Sequence, residues 1–572
     1  MPRVFALLAL LALASAVAAS CPHARNAMFV PAVTDDGRGL VLLVESEVRE
    51  GRGLVYMATT PFAGLLTQQS ENTAVEVAFK EAGVDGSACD VLFRIEDTGT
   101  ARSVDGPSAG AAMSVLTLAG LLNRSVRDDA AITGRIMEDG RIASVGGLLE
   151  KAEAAEAKGV RALVVPEATG AEAKVELLAF SLRKGLAIVE AGDVREAAEI
   201  AFAPWKKIET RLELGVRQIP ALQPLPEPAG GAEKFAEVVR EMVEEFDRQA
   251  EQAPVARKHF AGEAEFARRM AASNYHYTAG NAAFLAGIDL ALLEQSAGAE
   301  RQSVAKRLEK TRDCSGKIAW KRLTTENFEL LAAARLRAEW SEKKAGEAAE
   351  LLEESDSEKS LLRALKNALY AEGWCRTAER LNQRAEESGG EIDEGRWKQM
   401  AESAIAEAEA ALGGGENFEE EKWHLESARE LHAEKKYGAA IFDALYAKAS
   451  ALAAKEAALN PGRVEEAAGR ALAWNASGLL AGIYKAHAYY YYQLGDERGA
   501  LNALSLARYA QELEQATARM KGGEETVVLQ EAGKEELGKA LALGAAVFIL
   551  AFALLAWLAG RRTRRKKGLK NA

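Results

Sequence analysis

Four closely spaced prolines, Pro220, Pro224, Pro226 and Pro228, followed by Gly230-Gly231, divide the chain into two stretches with different periodicities. Proline fixes φ and lacks a backbone donor, and paired glycines leave the backbone unrestrained, so residues 204–231 read as a linker. Upstream, over residues 28–203, short β-type runs alternate with helical patterns. Downstream, over 232–537, the chain is rich in Ala, Glu, Leu, Lys and Arg with very little proline, which predicts an all-helical domain. A length of 572 residues is too great for one ordinary core and fits two or three domains.

In the upstream stretch Val41–Glu45, Gly53–Ala58 and Val91–Ile95 read as strands, and Leu65–Ala82 as a helix stopped by Gly83. Ala109–Leu122 is apolar enough for a buried helix. Ile132–Ile136 and Arg141–Val145 flank Asp139-Gly140, a turn pair that signals a hairpin. Leu148–Lys158 reads as a helix closed by Gly159, and Val160–Val165 as a strand closed by Pro166. The expectation is an α+β unit. In the helical stretch, Ala488–Leu501 resembles the turn region of tetratricopeptide repeats, with a weaker echo at Lys435–Ile441. No steady period runs through it, so a helical bundle or degenerate helical repeat is expected. The run Tyr489-Tyr490-Tyr491-Tyr492 reads as packing between helices, and Gly413-Gly414-Gly415 as a hinge.

The ends of the chain carry targeting signals. Met1-Pro2-Arg3, an apolar run from Val4 and the small residues Ala18, Ala19 and Ser20 make residues 1–20 a signal peptide or an N-terminal anchor. Lipid attachment at Cys21 lacks the larger aliphatic residue expected three positions earlier. Ala540–Gly560 holds 21 residues without a charge; at about 1.5 Å per residue it spans roughly 30 Å, a bilayer core. Seven basic residues follow it, which predicts a cytoplasmic tail over 561–572 and an extracytoplasmic body on the cell membrane. Net charge is −12; setting aside those seven and Arg3, residues 4–560 carry −20, which excludes the basic footprint of a nucleic-acid binder. Outside the cell Cys314 can pair with Cys375 and Cys21 with Cys89, with free buried thiols as the alternative.

The chemistry centres on Asp105-Gly106-Pro107-Ser108-Ala109-Gly110. Glycines permit a sharp turn, and the start of an apolar helix offers free N–H groups where negative charge can settle. Gly106, Pro107, Ala109 and Gly110 are therefore turn or oxyanion candidates around a nucleophile, Ser108. A histidine-assisted hydrolase needs a histidine after the serine in the same domain, and the six histidines, His23, His259, His276, His424, His432 and His487, provide none.

Read with Thr133-Gly134-Arg135-Ile136, Gly146-Gly147-Leu148-Leu149-Glu150-Lys151 and Val164-Val165-Pro166, the turn resembles the proteolytic domain of Lon proteases in order and spacing. The resemblance covers about a third of the chain. It implies the Lon protease fold and a Ser–Lys dyad, Ser108 matching the nucleophile and Lys151 the base, with Thr133 and Asp105 as supporting residues. Family members whose protease domain is non-catalytic lack the pair. Thr100–Val104 replaces the proline and lysine that usually precede the turn, which bears on substrate contacts. No Gly-x-x-x-x-Gly-Lys-Ser/Thr loop occurs in these residues, so the ATP-driven module of most of the family is not expected.

A lysine near 10.4 is protonated at neutral pH, and bringing it to about 7–8 means disfavouring its charge by roughly 3–4 kcal/mol. Burial among Val145, Leu148 and Leu149 is the expected means. Two functions follow: a membrane-anchored, ATP-independent serine peptidase acting on proteins or peptides, or a surface-anchored helical binding or scaffold protein with an inactive protease-like domain. Neither calls for a cofactor or metal, and a homo-oligomer is a possible partner state.

Overall fold

A computed structural model describes residues 21–34, 36–60, 62–97, 103–204, 208–226, 232–413 and 418–521. The signal or anchor expected at 1–20, the apolar span 540–560, the basic tail 561–572, the last part of the expected helical domain from 522, and Gly414 and Gly415 of the expected hinge lie outside the described residues. Among those described, no helix is long and apolar enough to cross a membrane.

The first domain is built on a seven-stranded mixed sheet in the order β11-β10-β7-β1-β2-β5-β3. Its strands are β1 (Ala24–Val33), β2 (Gly39–Glu50), β3 (Val55–Thr60), β5 (Cys89–Asp97), β7 (Ala130–Ile132), β10 (Ala162–Pro166) and β11 (Ala187–Ala191). Short pairs β4 (Phe62–Ala63) with β6 (Ser103–Val104), and β8 (Arg135–Ile136) with β9 (Ile142–Ala143), lie beside it. The helices are α1 (Leu65–Ala82), α2 (Gly110–Leu121), α3 (Leu148–Ala157), α4 (Ala171–Lys184) and α5 (Val194–Ala201).

The β1–β2 ladder runs from Ala24↔Val48 to Val33↔Gly39. One face of these strands supplies Met28, Val30, Leu42, Val44 and Val48 to the main core, which α2 completes. Every residue of α2 is buried, as expected of a helix apolar all round. The Asp139-Gly140 turn does close a hairpin, but a short one, pairing Ile136 with Ile142; Ile132 belongs instead to β7 of the main sheet. Cys21 is bonded to Cys89 and Cys314 to Cys375.

Residues 208–226 lack regular structure but are not a free tether. Arg211 pairs with β11, its N–H donating to Ile188 O at 2.8 Å and its carbonyl accepting from Glu190 N at 3.0 Å. Further on, Gln223 O accepts from the Tyr275 hydroxyl at 2.8 Å, and Leu225 O from the Asn274 amide at 2.8 Å. The segment is a strap tied first to the sheet edge and then to the helices.

From Ala232 onward some helices pack on their neighbours in sequence, as Arg257–Ala272 does on His276–Ser296 and Phe328–Glu354 on Glu358–Arg384, and others reach past them, as Glu394–Leu412 does to Tyr437–Leu459. Small residues set the close approaches. A Cβ on Gly438 would lie 2.1 Å from Trp397. Gly495, at φ 71°, ends the tyrosine-rich helix Leu479–Leu494. Tyr489, Tyr491 and Tyr492 pack against an alanine-rich cluster of neighbouring helices, the packing role expected of them.

Candidate active site

Ser108 lies in a single 3-10 turn, Pro107–Ala109, that leads directly into α2. Gly106 enters that turn at φ 138° and ψ 154°, a region that side-chain-bearing residues avoid. Two neighbours fix the turn. From α1, the Ser70 hydroxyl donates to Pro107 O at 3.2 Å and Thr67 to Gly106 O at 3.3 Å. From the β7–β8 connection, Gly134 N donates to Ser108 O at 2.9 Å, while Gly134 O accepts from Ala111 N at 3.1 Å. Gly110 gives its N–H to Pro107 O, so its part is packing rather than oxyanion binding; a Cβ there would lie 2.2 Å from the Ser70 hydroxyl.

Lys151 sits in the second turn of α3 and is 3% exposed. Gly147, at φ 66°, starts that helix, and a Cβ on it would meet Val33 at 2.6 Å; α3 is thus pressed onto the end of β1. A cavity of about 300 Å³ is bordered by Ser108, Lys151, Thr67, Asp105, Arg135 and Ser144, over an apolar floor that includes Val30, Val33 and Leu42. Burial pulls the Lys151 amine down to about 8, against a smaller opposing pull from Glu150. Of the apolar neighbours expected from sequence, Val145 borders the cavity; most of the remaining apolar wall comes from β1 and β2, with Ile95 of β5 and Ala109 of the turn.

The supporting residues take other partners than expected. Asp105, expected as a supporting residue of the dyad, turns to the backbone: its Oδ1 accepts from Leu66 N at 3.0 Å, Thr67 N at 3.3 Å and Gly106 N at 3.0 Å. It caps α1 from outside, where Gly64 has no side chain to do so. The hydroxyl of Thr133, the other expected supporting residue, faces Ser108 O at 3.5 Å, the outer limit of a hydrogen bond. Sequence reasoning missed Thr67 and Ser70. Their signal was two hydroxyls three residues apart on the buried face of α1. Among the described residues no group of His, Cys, Asp or Glu side chains is placed to hold a metal ion.

A serine at a helix entrance and a lysine biased toward its neutral form, around one apolar cavity, are equipped for acyl transfer. Residues 31–204 match the family profile described as Lon protease (S16) C-terminal proteolytic domain. The chain is 30% identical over 173 residues to the Lon protease of Desulfatibacillum aliphaticivorans, covering 30% of this chain and 20% of that protein. It is 27% identical over 170 residues to Lon protease 2 of Herpetosiphon aurantiacus (29% and 20%). With the Lon protease of Xanthomonas oryzae pv. oryzae it shares 31% over 202 residues (34% and 21%). The chain spans about a fifth of the length of the curated relatives it matches. It carries a Lon-type proteolytic domain, and the likeness supports a serine peptidase.

Proposed function

We propose, from the premise that residues 31–204 form a Lon-type proteolytic domain, that this chain is a membrane-anchored serine peptidase. It works without ATP and cleaves unfolded or flexible protein segments outside the cytoplasm. The observation that carries the reading is that Ser108 and buried Lys151 border one cavity.

In the proposed cycle, neutral Lys151 takes the Ser108 proton as Oγ attacks the scissile carbonyl. The oxyanion gathers at the N–H groups of the turn entering α2. The Lys151 ammonium passes its proton to the departing amine, leaving an acyl-enzyme. Lys151 then takes a proton from water, the hydroxide attacks the ester, and the proton returns to Ser108 as the acid product leaves. Asp105 and Thr133 hold the turn rather than move protons.

Two disulfides favour an oxidising compartment. The uncharged span 540–560 followed by basic residues favours a membrane anchor with its tail in the cytoplasm. No Gly-x-x-x-x-Gly-Lys-Ser/Thr loop stands in these residues, which favours substrates that arrive already loose. Leu65 and Leu66, 66% and 49% exposed beside Thr67, offer apolar contact to such segments.

The test is labelling of intact cells with a membrane-impermeant, serine-reactive fluorophosphonate. The expected result is modification of Ser108, absent in Ser108→Ala. Labelling only after lysis contradicts the topology, and none in either condition favours the inactive scaffold.

A further inference from the structure

The helix that bears Lys151 is gripped from outside the protease domain. The helix Glu358–Arg384, from the helical domain, sets its first turns against α3. Arg363 lies 3.0 Å from the Glu150 carboxylate and Lys359 3.6 Å from the same oxygen. These two cations are four residues apart and so share one helix face. The Lys359 backbone N–H also donates to Glu153 at 3.2 Å, and its ammonium reaches Gly37 O at 3.4 Å. From β2, a Cβ on Gly39 would lie 2.1 Å from the Glu150 carbonyl oxygen. The first turn of α3 is therefore held between β2 and the helical domain.

Glu150 directly precedes the base, and its carboxylate is the charged group that acts on Lys151, favouring the ammonium. A neighbouring carboxylate stabilises the charged form of an amine, and cations paired with that carboxylate weaken the effect. Of the other charged side chains nearby, two are engaged elsewhere. Asp105 is turned to the α1 N–H groups. Lys184, from α4, faces Glu156 and Glu358. Arg135 stands on the cavity rim and is exposed.

We propose that Arg363 and Lys359 are positioning residues for the base: by holding the Glu150 carboxylate, they make seating of the helical domain a control on whether Lys151 can accept a proton. The inference rests on the Ser–Lys reading of the site. A partner that lifts the helix Glu358–Arg384 releases Glu150 and slows the enzyme about tenfold at neutral pH; one that seats it restores the rate.

The test uses the full chain and the pH profile of kcat/KM. In Arg363→Ala/Lys359→Ala the acidic limb moves up by about one pH unit, roughly a tenfold loss at pH 7, and the alkaline plateau is kept. Arg363→Lys restores the limb. In a Glu150→Gln background the same pair of changes moves nothing. Arg363→Gln alone gives a smaller shift in the same direction should the double variant fold poorly. A uniform fall in rate with the limb unmoved overturns the proposal, as does an equal shift in the Glu150→Gln background. The pH dependence of Lys151 acetylation by acetic anhydride, read by mass spectrometry in Ser108→Ala protein, reports the same midpoints without turnover. If those midpoints shift as predicted while wild type hydrolyses nothing, the peptidase reading fails and the coupling stands; unmoved midpoints in an active enzyme sink the coupling alone.

Discussion

The Asp105 carboxyl occupies the space that a side chain on Gly64 would fill: a Cβ there would lie 2.2 Å from Asp105 Cγ. One carboxylate thereby ties the entrance of α1 to the turn that carries Ser108. Asp105→Ala strips three N–H groups of their acceptor and is expected to cost about 1–2 kcal/mol. Asp105→Asn keeps an acceptor oxygen and costs less, whereas Gly64→Ala forces the carboxyl out and matches or exceeds the alanine change. Denaturant midpoints order the three variants. A Gly64→Ala protein as stable as wild type contradicts the relationship.

Catalysis that needs neutral Lys151 follows pH with a known sign. The amine is drawn down to about 8, so below that value it is protonated, and kcat/KM should fall about tenfold per pH unit. Glu71 on α1 is a second group in this range: buried, with Oε1 unpartnered, it is pushed up to about 7 by desolvation. In Glu71→Gln the limb near 8 should remain. Its disappearance would assign the limb to Glu71, and a limb near 10.5 would mean that Lys151 is not desolvated.

The same burial has a stability cost. The folded state resists protonating Lys151 between its folded value of about 8 and its ordinary one near 10.4, so stability rises with pH across that window. The penalty is complete below about pH 8, on the order of 3 kcal/mol, and gone above about 10.5. Lys151→Met should therefore stabilise the protein at pH 6 and leave it nearly unchanged at pH 11. Urea unfolding at the two pH values checks this, and an equal effect at both contradicts it.

Thr133 tests whether its hydroxyl serves the backbone or the amine. Facing Ser108 O at 3.5 Å, it contributes little, so Thr133→Val should cost under about 1 kcal/mol and lower kcat only a few-fold. A hundredfold loss of kcat at unchanged stability would return the hydroxyl to Lys151.

The parts of the site legible in the sequence are local ones. Gly106 and Gly110 bracket Ser108 within one turn, and the apolar run after it makes a buried helix whatever surrounds it. Lys151 was found through its motif, yet the walls that desolvate it were not, because Val30, Val33 and Leu42 reach it through sheet pairing more than a hundred positions away in sequence. Strand β1 escaped notice because Pro31 interrupts it. Proline is tolerated there because β7 pairs with β1 at Phe29, short of the missing donor. Asp105 looked like a companion of the lysine because it adjoins the nucleophile turn; its real partners lie 38 and 39 positions earlier. The strap at 208–226 has the composition of a tether because a pair of hydrogen bonds from Arg211 to β11 and one from Tyr275 to Gln223 leave no periodic trace.

The most direct test of the central claim is cleavage of an unfolded protein, such as reduced casein, by purified full-length chain without ATP, beside Ser108→Ala and Lys151→Met. The account predicts hydrolysis by wild type at pH 8 to 9, unchanged by added ATP, and loss of at least a thousandfold in each variant. Cleavage at the wild-type rate by either variant would contradict it.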